Sequence, residues 1–490
     1  MNIRWQRLAA IVAAAPLAAL ATPEATVNAQ TGANPTLEQR LEQAEDNIKI
    51  LERKLEVSDE AATASAKSTA VVKASPAGFS IASADGSSVL KLRGNIAVDY
   101  RDFLDNFTPS TADTFLIRRA RPTFEGTVDN IYDFRLMPDF GQGKAIIQDA
   151  WITARFLPWM GLQAGKFKAP VGLERLQLEQ YARFVEAALT SDLLPYRDIG
   201  AQLTGSVRNG LLSYSFGYFN GTVDGVSTDS NNPPDVDNDG KKDWQGRLFA
   251  LPFANSDHFA LRGLGIGLGG TYVRSSGVAT VSTTTGVTTT SLLPTYKTPG
   301  QQNLFSYRGD DVTTPTFNDA TIAAGVRRRW APQAYYYYGP VGLMTEYTQV
   351  TQQVQRRVSP TTTRFGTLQH HAWMVEAAWF LTGEEETYAS FTGRSTFQPG
   401  KPGIGAWELV ARYHEISFDP DSFTGGAASF ASPNSSPRKA TAVGGGVNWY
   451  LSQNVKLQAM YEVTSYDGGL KNNVDRPSEE VLTTRFALAF

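Results

Sequence analysis

The feature that most constrains this chain is a two-residue alternation of apolar and polar side chains, renewed from about residue 89 to the C-terminus. In LRGNIAVDY, residues 92–100, Leu92, Gly94, Ile96, Val98 and Tyr100 fall on one face of an extended strand. Arg93, Asn95, Ala97 and Asp99 fall on the other, and Lys91 and Arg101 continue that row. Successive side chains of a strand point to opposite faces, so one face is greasy and the other carries charge. AWELVARYHEI sets Trp407, Leu409, Ala411 and Tyr413 against Glu408, Arg412 and His414. Val455, Leu457, Ala459, Tyr461 and Val463 oppose Lys456, Gln458 and Glu462, and in VLTTRFALAF the residues Leu482, Phe486, Leu488 and Phe490 oppose Arg485.

The pattern predicts strands near 89–103, 114–128, 131–140, 145–156, 160–167, 198–208, 211–222, 243–252, 263–274, 322–330, 333–348, 367–381, 405–418, 440–451, 454–466 and 480–490. That makes sixteen, an even number as in bacterial outer-membrane barrels. Connections after even-numbered strands are mostly tight: Asp129-Asn130, Pro158-Trp159, Asn209-Gly210, Ala331-Pro332 and the Ser452-Gln453-Asn454 turn. Asn-Gly is the chemistry of a two-residue hairpin. Connections after odd-numbered strands are long: 168–197, 223–242, 275–321, 419–439 and 467–479. Short turns at one end and long loops at the other mark an outer-membrane barrel. The long segment 382–404 falls at the short-turn end and is the exception.

A soluble sandwich, the competing fold, buries its apolar faces in a dry core and shows polar faces to water. Few strands here are apolar on both faces, and aromatic residues gather near strand ends at Tyr335 to Tyr338, Trp379-Phe380, Trp449-Tyr450 and Phe486/Phe490. Such girdles suit a lipid interface. The expectation is therefore an all-β transmembrane antiparallel barrel of about sixteen strands, greasy side to lipid, charged side to a water-filled lumen.

The N-terminus reads as an export signal over 1–29, with Arg4 and Arg7 before the apolar stretch 8–21 and a small-residue site ending at Ala29; an uncleaved anchor is the alternative. Over 30–60, Leu37, Leu41, Ala44, Ile48, Leu51 and Leu55 are spaced 4, 3, 4, 3, 4, the seam of a short coiled coil. Thr36 and Gln39 stand at capping-box spacing. An oligomerising stalk competes with a solvated single helix. Residues 61–88, rich in Ala, Ser, Thr and Lys over their first part, read as a flexible linker before the barrel of 89–490.

Composition narrows the function. A net charge of −3 gives nucleic acid no basic footing, and without Cys there is no disulfide or thiolate metal site. No HExxH, GxSxG or phosphate-loop pattern occurs, so no cofactor and no enzyme chemistry are expected, although a barrel enzyme remains a rival. Asp235, Asp237 and Asp239 with Gly240 and Asp243 resemble a calcium loop, but the twelfth position is Gly246, and a solvated acidic loop is the stronger reading. No metal is expected.

TFLIRRARPTFEGTVDNIYDFRLMPDF, GLQAGKFKAPVGLERL and DIGAQLTGSV resemble the phosphate-selective porin O/P family; DWQGRLFA, FLTGEEE, GAWELVARY and the terminal Phe490 extend the likeness through most of 89–490. The resemblance implies a homotrimer of sixteen-stranded barrels in the outer membrane of a Gram-negative-type cell. It implies that the loop after the fifth strand, 168–197, folds inward as a constriction. The long turn at 382–404 corresponds to a family feature.

Anion passage requires cations at the narrowest point, where a low-dielectric wall strengthens their field. By alternation, Arg93, Arg119, Arg121, Arg135 and Arg155 face the lumen, while Arg118 falls on the outward face. In and beside the inward loop, Lys166, Lys168, Arg175, Arg183 and Arg197 are the constriction cations, with Glu174, Glu179 and Glu186 beside them and apolar Leu173, Leu176, Phe184, Val185 and Leu189 at roughly helical spacing. The function expected is passive diffusion of small anions such as phosphate or polyphosphate. The alternative is a weakly selective porin whose coiled coil tethers it within the envelope, toward the cell wall.

Overall fold

The computed structural model describes residues 36–75, 78–104, 112–230, 234–282, 286–311 and 317–490. The expected signal segment and residues 30–35 of the expected coiled coil lie outside them. Sixteen antiparallel strands close into a barrel. They are β1 (Val89–Phe103), β2 (Thr114–Val128), β3 (Tyr132–Asp139), β4 (Ile146–Leu157), β5 (Met160–Lys168), β6 (Arg197–Val207), β7 (Leu212–Phe219) and β8 (Asp243–Ala250). There follow β9 (Leu264–Ser276), β10 (Thr321–Tyr338), β11 (Val341–Arg357), β12 (Thr363–Phe380), β13 (Ala406–Ser417), β14 (Pro437–Tyr450), β15 (Val455–Gly468) and β16 (Glu479–Ala489). Closure is made by β16 on β1, from Val481↔Phe103 to Ala489↔Asn95.

The alternation does what it predicts. Leu92, Ile96, Val98, Phe124, Leu162, Trp379 and Phe486 are exposed on the outer wall, where lipid is their solvent. Asp99, Arg121, Glu408, Arg412, Glu462 and Arg485 are buried on the inner side, among side chains rather than in open water.

Three expectations need correction. The turn expected at Ala331-Pro332 is strand: Pro332 pairs with Leu268 on β9, while the β10–β11 ladder passes over both residues and resumes at Gln333↔Glu346. A proline without N–H fits such a gap. The turn lies instead at Gly339-Pro340, where Gly339 has φ +54°. Second, the linker expected over 61–88 is largely regular: the helix α1 runs Leu37–Ser68, and Val71–Ser75 and Gly78–Ala82 form a hairpin whose second strand pairs with Val89–Leu92 of β1. Val71, Val72, Phe79 and Ile81 supply the β-branched and aromatic residues that favour this. Third, a β-bulge interrupts β2. Ala97 pairs with Arg119 and Val98 with Ile117, so Arg118 is the extra residue. A bulge shifts the facing of the chain beyond it, and Arg118 reaches into the lumen.

In α1 the capping box forms, Thr36 N–H donating to Gln39 Oε1 at 3.2 Å and Gln39 N–H to Thr36 Oγ1 at 3.5 Å. The seam residues Leu37, Leu41, Ile48, Leu51 and Leu55 are all exposed.

Candidate functional site

The lumen of sixteen strands is too wide for wall side chains alone, and among the segments that fold into it are two long loops. The first, residues 169–196 between β5 and β6, has one helical turn, Leu173–Leu176, and a 3-10 segment, Leu189–Leu193. Its apolar residues pack on the inner wall: Phe184 and Val185 on Ala378, Val410 and Met460, and Leu173 on Met344 and Met374. Leu189 and Leu193 join Val350, Ala372 and Ile416 together with Tyr296, Leu304 and Phe305 of the second loop, 277–320.

Charge fixes the first loop in place. Glu186 takes Arg118 at 2.7 Å and Arg101 at 2.7 Å, with Arg485 at 3.7 Å. Burial alone would raise the Glu186 pKa; Arg118, Arg101 and Arg485 together hold it well below the usual carboxylate range. Glu179 takes Arg119 at 2.8 Å, also Arg121, and the Tyr196 hydroxyl at 2.9 Å. Burial would raise Glu179 as well, and Arg119 and Arg121 keep it well below its ordinary value. Glu174 takes Arg412 at 3.0 Å and caps the Ala188 N–H at 2.8 Å. Arg183 is enclosed by Glu386 at 2.6 Å and Glu376 and Glu408 at 3.4 Å, and its carbonyl accepts from Asn448 and Gln458. His414 Nδ1 accepts from Leu189 N–H at 3.0 Å.

What remains open is a cavity of about 750 Å³ reaching from the first loop toward the short-turn end. Arg93, Arg121, Arg135, Arg155, Lys168, Arg197 and Arg247 line it, against Asp149 and Glu179. Carboxylates here are shared: Glu125 between Arg93 and Arg135, Asp149 between Arg135 and Arg197, Glu179 between Arg119 and Arg121. Arg155 pairs with Asp133 at 2.6 Å. Lys168 donates to the Gln177 carbonyl at 2.8 Å and Arg247 to Gln333 Oε1 at 2.9 Å. Among the described residues, neither has a carboxylate within ion-pair distance, and the buried Arg197 Nη1 has no hydrogen-bond partner.

Six of the ten cations picked from the sequence thus line one cavity: Arg93, Arg121, Arg135, Arg155, Lys168 and Arg197. The others are placed elsewhere. Lys166 is drawn to Asp235 at 2.6 Å and Asp229 at 3.5 Å, on the loop after β7. Arg175 lies over the Tyr196 ring and donates to the Ser191 carbonyl, Arg183 is a loop anchor, and Arg119 lies behind Glu179 in a smaller recess. Arg247 is absent from the sequence expectation, although alternation in DWQGRLFA puts it on one face with Asp243 and Gln245. Arg118, expected on the outward face, turns inward because a bulge leaves no mark in the pattern. The four aspartates of the weaker calcium alternative have other partners: Asp235 binds Lys166, Asp237 binds Lys242, Asp239 caps Lys241 N–H, and Asp243 is bound by Arg329 inside the barrel. Among the described residues no group of acidic and histidine side chains is arranged to hold a metal.

The chain is similar to several known outer-membrane proteins. Porin O of Pseudomonas aeruginosa is 23% identical over 422 residues, 83% of this chain and 90% of that protein. Among solved structures, the outer membrane channel DcaP of Acinetobacter baumannii is similar at 9% identity and TM-score 0.49, over 82% of this chain and 98% of that one. The anion-selective porin from Comamonas acidovorans is similar at 13% identity and TM-score 0.48, over 82% and 100%. OmpT of Vibrio cholerae, in a trimer form, is similar at 10% identity and TM-score 0.45, over 82% and 100%. The family model described as phosphate-selective porin O and P matches residues 90–490, so this chain, an outer-membrane β-barrel and a non-enzymatic channel, belongs to that family.

Proposed function

We propose that this porin passes small anions by diffusion, oxyanions of the phosphate class among them, and that it does so as a homotrimer. The observation that carries the anion reading is the cavity lining. Seven cations face it, and the carboxylates that answer them are mostly shared, so guanidinium N–H groups remain for a passing anion. Lys168 and Arg247 are the strongest candidates, because among the described residues neither has a carboxylate within ion-pair distance. Arg suits phosphate through its planar fork, and Lys acts as a point charge. Several weak cationic positions in series let an ion enter and leave again.

The reversal potential in a KCl gradient, with phosphate then added as a blocker, tests this. An anion-selective reversal potential and block by phosphate are expected. A unit charge at about 4 Å is worth about 1 kcal/mol even in bulk water. Lys168→Gln and Arg247→Gln should therefore each lower the anion-to-cation permeability ratio roughly fivefold without lowering thermal stability. A cation-selective pore indifferent to phosphate removes the anion reading and leaves the barrel.

A second reading, a weakly selective porin with a tethering role, rests on the exposed apolar seam of α1. It predicts that removing residues 37–60 leaves conductance intact and loosens attachment to the envelope.

A further inference from the structure

Among the described residues, two arginines stand side by side on the lipid side of this wall without a carboxylate partner, whereas outward Glu415 is paired with Lys439 at 2.8 Å. On β9 the outward row is Ile266, Leu268, Gly270, Tyr272 and Arg274; on β10 it includes Arg328, Trp330 and Pro332. Tyr272 pairs with Arg328, and Arg274 with Val326. The two arginines are thus diagonal neighbours on adjacent strands, close enough for both side chains to reach one ligand. Both are exposed. Among the described residues no carboxylate lies within ion-pair distance of either; Asp239, on the loop after β7, accepts from Ser276 N–H at 3.1 Å instead.

Their height is fixed by the strand. Arg328 is ten residues from Tyr338 at the short-turn end of β10, the length of a tilted strand across the hydrocarbon. The long-loop end is the cell exterior, so the pair lies at the outer-leaflet headgroup level. Level with the pair and just below it is an aromatic belt: Tyr272, Trp244 stacked on Phe216 at 5.3 Å, and Trp330 against Tyr347 at 5.4 Å. Inside that belt Gly246 pairs with Gly270, both on the outward face. A Cβ added at Gly270 would meet the Arg329 carbonyl oxygen at 3.2 Å and one at Gly246 the Phe216 ring at 3.3 Å, so what hollows the wall here is the lack of a side chain on two paired outward positions. Leu248 and Leu268 floor the hollow and Trp244 and Trp330 flank it, all exposed.

We infer that Arg274 and Arg328 hold the phosphoryl headgroup of an outer-leaflet lipid, one of whose acyl chains lies in the Gly246–Gly270 hollow. Charge complementarity selects this occupant. Two unneutralised guanidiniums at the polar–apolar boundary call for a phosphate, and the greasy hollow beneath calls for its hydrocarbon. The site is outside the barrel and independent of ion passage.

Native mass spectrometry of the full chain in detergent tests it, with a bis-phosphorylated glycolipid, the same lipid with its phosphates removed, and inorganic phosphate as probes. The phosphorylated lipid should stay bound, and Arg274→Gln/Arg328→Gln should weaken it at least tenfold. Arg274→Lys/Arg328→Lys, which keeps charge and loses the fork, should fall between. Arg438→Gln, at a rim arginine already paired with Asp467, should bind as the parent does. Equal retention by the parent and both double variants overturns the inference. So does equal binding of the dephosphorylated lipid, or full displacement by inorganic phosphate at the lipid's own concentration. A loss of subunit association in the double variants, with lipid binding unchanged, assigns the face to a second copy and also overturns it.

Discussion

Glu186 shows how a single side chain governs the lumen. It sits on the inward loop and faces three wall arginines from β1, β2 and β16; it is buried with Arg101 and Arg485, and Arg118 is partly so. Removing one member of such a group leaves uncompensated buried charge, which costs roughly 3–5 kcal/mol. Glu186→Gln should therefore undock the loop while the barrel stays folded, seen as larger and noisier single-channel conductance with unchanged heat-modifiable gel mobility. Acid should act in the same direction. The folded-state pKa of Glu186 is depressed below the ordinary 4.5, so its stabilisation is present above that value and is lost as pH falls toward the folded pKa. Channel noise should rise as pH falls below about 4.5; noise independent of acid in that range would remove Glu186 as the loop's main anchor. The residues of this cluster are legible in the sequence only in part. Alternation places Arg101 and Arg485 on the lumen side. Arg118 needs the bulge, and Glu186 needs the loop's path, which no local pattern encodes.

At the scale of elements, the strands are readable because lipid outside and water inside impose the same alternation on every crossing. β1 and β2 fall where the alternation puts them, at Val89–Phe103 and Thr114–Val128. The misreadings are where backbone chemistry says one thing and the ladder another. Ala331-Pro332 looks like a turn, yet a strand tolerates proline where no ladder hydrogen bond is asked of it. The 71–82 hairpin is hidden inside a composition typical of linkers. Its position gives it a role: Phe79 meets the Phe490 ring edge-on at 6.1 Å, and Phe490 exchanges backbone hydrogen bonds with Gly94. The hairpin thus covers the seam where the last strand meets the first. Deleting 71–82 should cost about the 0.5–1.5 kcal/mol of an aromatic pair plus the strand pairing to Val89–Leu92. The melting temperature should fall by several degrees with conductance unchanged; an unaltered melting temperature would show that the seam needs no cover.

For the whole molecule, the net charge of −3 says nothing of the conduit, because a closed barrel sorts charge by side rather than by sum. Seven cations line the cavity against Asp149 and Glu179, while acids such as Asp237 and Asp467, on the outer loops and rim, count in the sum but not in the conduit. The same sorting bears on assembly. The apolar seam of α1 is exposed in one chain, and about three heptads are too short to hold together alone in water. Barrels that already associate would raise the local concentration of their helices to the millimolar range, where a weak seam closes. On this account α1 would not create the proposed trimer but would add to its stability. A chain lacking 37–60 should still run as a trimer in mild detergent, and should dissociate into monomers at a lower temperature than the full chain, with conductance per channel unchanged. Leu41→Asn and Ile48→Asn should each reproduce the shift, since a polar residue in the seam weakens packing without shortening the helix. If dissociation temperatures coincide for all these chains, the helices stay apart and the seam serves another partner.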